Sequence, residues 1–269
     1  MGEASLEEST RGARARGIAR RALDAEWGEL LGAARARLAE RRRDAPPFAL
    51  RPLALRPSAV RLFMLRLFTV LPFTMAAVAL VVVFDVAQHL PGGAAFAARI
   101  GVVQAVQPLG TALLRTPLSL FVPALDLPVW GALAQVLLVF GIAELVLGLR
   151  TTLVVGYACT LAGTFFTRFG VAHGPHRLYH LPGWFAQVRD TGPSAAVVGL
   201  VLCVAWRHRA WCTAIGVNVL MIGEAVALPN LAGLEHLAAL ACAASLSAVS
   251  GVLRRFFARL PAVTLPDAT

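Results

Sequence analysis

Two side chains with the chemistry of a nucleophile and a base stand near the heads of two apolar stretches. Ser194 lies in "RDTGPSAAVVGL", with Gly192 two residues before it and Gly199 five after. His236 lies in "EHLAALACAASLSAVSG", where the last apolar run begins. A serine is a poor nucleophile until a base takes its proton, and an imidazole within hydrogen-bond reach does that. Each residue also has a plainer role: serine is a favoured helix N-cap, and His236 alone reads as a satisfied interfacial histidine. Glu144, Glu224 and Glu235 are acids in or beside apolar runs, where an ionisable group is costly and is read as functional by default. The plainer roles are a pair between Glu144 and Arg150 or another arginine at the same end, and a pair between Glu224 and an arginine at the opposite surface. A further cluster, His173, His176 and His180 in "HGPHRLYHLPGW", has H-x2-H-x3-H spacing that binds zinc or copper if the loop curls. Gly174 and Pro175 make a turn there, so the imidazoles need not converge. Beside Tyr179 and Trp184 they read instead as interfacial residues. No cofactor is implied.

These residues have to be positioned by elements buried in something other than a soluble core. The 269 residues are 58% hydrophobic with a mean hydropathy of +0.69, against roughly 45–50% apolar for an ordinary soluble domain. A helix needs about 20 apolar residues to cross a bilayer. Six runs approach that length: 67–84, 127–149, 151–167, 191–206, 210–228 and 237–253. The net charge is +10 and every basic side chain apart from histidine is arginine. Outside the N-terminal arm the arginines sit mostly at the ends of apolar runs, the pattern of membrane topology rather than of nucleic-acid binding. Their distribution places the N- and C-termini inside.

Residues 1–47 form a charged arm. Leu23, Trp27, Leu30, Leu31, Ala34 and Leu38 fall at helical spacing, which predicts an amphipathic helix. Such a helix lies on an anionic membrane surface or a partner, or is solvated with one apolar side. Pro46 and Pro47 end it. The first apolar run follows this polar arm, the wrong order for a cleavable signal peptide. The segment 85–126 is too long for a simple turn and too apolar for disorder, so it is expected to fold back on the membrane surface. Cys159, Cys203, Cys212 and Cys242 have no CxxC spacing and read as small core residues at helix contacts.

Taken together, these stretches resemble the rhomboid superfamily of intramembrane serine proteases and their inactive relatives. The family's serine motif is G-x-S-G with a further glycine five residues on, and Gly192, Ser194 and Gly199 keep those spacings. Its histidine opens the last core helix before a small-residue stripe, as His236 does. "ELVLGLR" supplies the family's Glu, Gly and Arg as Glu144, Gly148 and Arg150, and "LSLF" at 118–121 is similar to its T-S-x-F. The resemblance covers roughly residues 60–258. It implies an all-α integral membrane protein: a six-transmembrane-helix bundle over 60–258, behind a cytoplasmic amphipathic arm at 1–47 and before a short tail at 259–269.

The resemblance breaks where the family places its oxyanion donors. Active members carry H-x-x-x-N at the outer end of the second helix. Here Pro128 and Ala132 hold those positions, and neither offers a side-chain donor. Ala195 also replaces the glycine after the serine. Losing one oxyanion donor typically costs about 100–1000-fold in rate. Two functions follow from the resemblance. The front-running one is a pseudoprotease that binds transmembrane helices of client proteins. The other is an active protease using a Ser194/His236 dyad with a divergent oxyanion hole. Either has membrane lipids and transmembrane helices as partners and no nucleic acid. The arginine bias and the missing leader point to a bacterial inner membrane.

Overall fold

The computed structural model describes residues 3–44, 67–125, 127–173 and 181–259. His176 and His180 lie outside them, as do the DAPPF break and the tail after Arg259. The described chain is built from helices, and its one extended pairing is an isolated antiparallel bridge between Val103 and Asp190. We number the helices α1 (Glu3–Asp44), α2 (Pro72–His89), α3 (Gly93–Gly101), α4 (Leu109–Ser119), α5 (Val129–Val146), α6 (Leu149–Ala172), α7 (Ser194–His208), α8 (Trp211–Ala227) and α9 (Leu231–Arg259). A π-helical turn at Val136–Phe140 interrupts α5.

Four described helices are long and apolar enough to cross a membrane: α2, α5, α6 and α9 over Leu231–Gly251. The other two expected runs form the shorter apolar helices α7 and α8, of 15 and 17 residues. The boundaries differ from the expected runs where a charge does not end the helix. Asp85 lies inside α2, with His89 one turn on and its Nδ1 against the Asp85 carbonyl at 2.8 Å. The last helix begins at Leu231, five residues ahead of His236, because Asn230 caps it: the Gly233 N–H donates to Asn230 Oδ1 at 2.7 Å.

The core forms where α6, α7 and α9 meet, with Cys159, Ala196, Leu200, Cys203, Ala239 and Ala243 buried between them. Small side chains permit that approach. Gly199 marks the tightest crossing, since a methyl built on it would overlap Cys159 Sγ and touch Ala243. Gly199→Ala therefore overpacks the contact and should destabilise the fold by about 1–3 kcal/mol, read as a lower melting temperature in detergent. All four cysteines are free, and the Cys159 and Cys203 thiols donate to the Ala239 and Ala243 carbonyls of α9 at 3.5 and 3.6 Å.

The long segment after α2 forms α3 and α4 and is bonded to itself and to α6. Arg115 donates to the Ala98 and Val102 carbonyls at 3.3 and 3.1 Å, and Arg168 to those of Gln104 and Gln107 at 3.3 and 2.6 Å. Tyr157 Oη donates to the Pro117 carbonyl at 3.0 Å. Such bonds satisfy backbone carbonyls that helix ends and turns leave over.

The N-terminal helix α1 packs on the bundle. Leu30 and Ala34 are buried, and Leu38 meets Val70, Leu71 and Met75. Two charged residues fasten it to helix ends. The Glu26 carboxylate accepts from the Cys212 and Thr213 N–H groups at 2.8 and 3.1 Å, capping α8 from 186 residues away. Arg41 donates to the Val70 and Glu144 carbonyls, both at 2.8 Å. Slight desolvation pushes the Glu26 carboxyl up, but the backbone bonds from Cys212 and Thr213 outweigh it and hold it below the usual glutamate value.

Candidate functional site

Ser194 is the first residue of α7, and the residue ahead of it, Pro193, is the N-cap. The hydroxyl makes no cap bond, so the plainer role as helix cap does not describe it. The backbone reaches this position through Gly192, whose φ of +102° is one that side chains rarely tolerate. The Gly192 N–H donates to the Ser119 carbonyl at 2.9 Å, and the Asp190 N–H to the Val103 carbonyl at 2.9 Å. The segment between α2 and α5 thus pins the approach to Ser194. Ser194 has no side-chain partner among the described residues. The N–H groups of Ser194 and Ala195 belong to the first turn, which lacks intrahelical acceptors.

His236 sits one turn into α9 and is buried. Its Nδ1 lies 3.1 Å from Glu224 Oε2, across the short turn that joins α8 to α9. Its Nε2 is buried and has no hydrogen-bond partner among the described residues. Leaving such a nitrogen unmet costs roughly 1–3 kcal/mol. Ser194 and His236 line the same cavity of about 200 Å3, together with Asn230, Thr191, Asp190 and Thr160. No direct hydrogen bond joins the serine to the histidine. A surface arginine is the expected partner of Glu224; its partner in the structure is the imidazole, which the turn between α8 and α9 brings closer than any arginine among the described residues. Asn230 Oδ1 is engaged by Gly233, which leaves Nδ2 as a donor without a partner among the described residues. Pro128, the N-cap of α5, and Ala132 do not line the cavity.

A second acid pair adjoins the cavity. The Thr164 hydroxyl donates to Asp190 Oδ2 at 2.8 Å and the Thr167 hydroxyl to Glu235 Oε1 at 2.7 Å. Asp190 and Glu235 line the same cavity, so each carboxyl faces the other's charge. Desolvation holds the Asp190 carboxyl above the usual aspartate range, against the lowering effect of Thr164 and Glu235. A raised carboxyl costs the fold nothing while the unfolded chain is also protonated. The penalty starts as pH rises through the ordinary aspartate value near 4 and grows until the folded group ionises. An asparagine side chain at this position keeps an acceptor for Thr164 and carries no charge to desolvate. Asp190→Asn should therefore raise the melting temperature by about 2–4 °C at pH 7.5, with the gain vanishing toward pH 4.5.

Glu144 lies elsewhere, at the far end of the bundle. It is fully buried and accepts from the Phe73 N–H, the Thr74 N–H and the Thr74 hydroxyl at 3.3, 2.8 and 2.7 Å. It caps α2, whose own N-cap, Leu71, has no side-chain acceptor. Its cationic neighbour is Arg41 at 3.9 Å. Arg150 is exposed at the start of α6, and no ion pair joins it to Glu144 among the described residues. Glu144→Ala orphans three donors and should cost about 3 kcal/mol or more, measurable by thermal or denaturant unfolding. His173 turns back on its own helix, its Nδ1 2.8 Å from the Phe169 carbonyl and its ring on that of Phe169. No group of three metal-ligating side chains forms among the described residues.

Compared with known proteins, the chain matches no family model, no curated protein and no solved structure.

Proposed function

We propose that the chain is a rhomboid-like intramembrane serine protease with six membrane spans, α7 and α8 completing the set begun by α2, α5, α6 and α9. One observation carries this reading: Ser194 and His236 line one cavity, and the His236 imidazole is held through Nδ1 by Glu224 while its buried Nε2 has no partner among the described residues. A carboxylate at Nδ1 fixes the tautomer with its proton there. Nε2 is then the basic nitrogen, ready to take the serine proton and return it to the leaving amine. Ser194 attacks the carbonyl of a substrate peptide bond, and the cation formed on His236 is stabilised by Glu224. A water then hydrolyses the acyl-enzyme with His236 acting again as base.

The oxyanion donors of this reading come from new places. The Ser194 and Ala195 N–H groups supply one side, at a helix N-terminus where the backbone favours negative charge. Asn230 Nδ2 supplies the other and replaces what Pro128 and Ala132 cannot offer. Substrates are transmembrane segments of other proteins, entering from lipid at the end of the bundle that carries Ser194.

The pseudoprotease reading keeps one supporting observation, the donorless pair Pro128 and Ala132. Labelling with a fluorophosphonate in native-like membranes separates the two. An active site gives a covalent adduct that disappears in both Ser194→Ala and His236→Ala. Folded protein that takes up no label would leave a client-binding role in its place.

A further inference from the structure

The exposed half of α1 has a composition and a position that the catalytic reading does not use. The helix is 42 residues long, about 63 Å at 1.5 Å per residue. Its second half is fixed to the bundle, from Glu26 on the N-terminus of α8 to Arg41 at Val70 and Glu144. Those anchors are all at the ends of apolar helices, at the opposite end of α8 from Glu224 and His236. The helix therefore lies across the bundle at the level where lipid headgroups begin.

None of residues 12–25 is buried. Over 12–25 Arg14, Arg16, Arg20 and Arg21 stand against one acid, Asp24, a net charge of +3, with the acids Glu3, Glu7 and Glu8 confined to the helix start ahead of them. Ile18 and Leu23 are exposed among them at 61% and 38%, and Trp27 follows at 41%. Leu23 and Trp27 share a face with Arg16 and Arg20, and arginines beside exposed Leu and Trp match an anionic bilayer surface, where the arginines meet phosphates and the apolar side chains enter the acyl boundary. An acidic protein would satisfy the charge, but the placement at the helix ends of the spanning bundle selects the lipid surface.

We propose that residues 12–25 of α1 lie on an anionic leaflet and bind its phospholipid headgroups, tethering the Ser194 bundle to acidic membranes. This rests on the membrane-spanning reading and is independent of catalysis. The test is hydrogen–deuterium exchange of the full chain in nanodiscs of phosphatidylcholine alone and with about one-third phosphatidylglycerol. Exchange over 12–25 should be about tenfold slower with the anionic lipid, while 26–41, held by the bundle, should not change. The protection should disappear in 0.5 M salt, on the order of a 4 Å Debye length, and in the Arg14→Gln, Arg16→Gln, Arg20→Gln, Arg21→Gln variant. Equal exchange in the two lipids would overturn the proposal. So would protection of 12–25 that appears only on adding an acidic soluble polypeptide.

Discussion

Glu224→Gln should lower the rate of Ser194 acylation by about 10^4-fold, the scale seen when a triad carboxylate becomes an amide. The reason is the tautomer. Glu224 can only accept, so the His236 nitrogen 3.1 Å away carries the proton and Nε2 is basic. A glutamine in the same place can donate to Nδ1, which moves the ring proton to Nε2 and leaves nothing to deprotonate the serine. The amide keeps the shape of the side chain, and Glu224 is partly exposed, so folding should change little. The measurement is the fluorophosphonate labelling rate across pH 5 to 9, with the melting temperature of each variant as a control. An active wild type with an equally active Glu224→Gln would remove Glu224 from the mechanism and leave His236 acting alone. A wild type that does not label would remove the mechanism itself.

The parts of this site that sequence made legible are those set by local spacing. Ser194 and His236 head separate helices, and both line one cavity. Gly199 was readable as a small residue at a crossing, and a side chain there would strike Cys159. The contacts that spacing did not show are the ones made across turns and between distant segments. Glu224 and His236 are 12 residues apart, which looks unrelated until the short turn at Pro229 and Asn230 folds α8 against α9. An acid near the end of one apolar helix and a histidine near the start of the next is the signal that would have found the pair. The Asp190–Glu235 contact joins a loop to a helix, and the Glu26 cap crosses 186 residues; neither leaves a periodic trace. Glu144 was legible as an acid beside an arginine at its own end of the bundle, which is Arg41 at 3.9 Å rather than Arg150; its cap on α2 was not, because Phe73 and Thr74 come from a segment far away in sequence.

The second large effect is expected at Asn230, and it bears on the positions where the resemblance to active rhomboid proteases breaks. Pro128 and Ala132 remove two donors, and an oxyanion without donors forfeits about 100–1000-fold for each. If Asn230 Nδ2 takes up that work, deleting its N–H should bring a loss of the same size. The side chain does two jobs, however, since Oδ1 caps α9 through Gly233. Asn230→Ala would confound them by loosening the helix that carries His236. Asn230→Asp and Asn230→Ser both keep an oxygen for the cap and remove the amide donor, the first adding a charge and the second not. A labelling rate that falls by about 100-fold or more in both, with melting temperatures near wild type and an unchanged pH midpoint for His236, assigns the loss to the oxyanion. A fall in the aspartate variant alone is repulsion by its charge and would return the donor role to the α7 backbone.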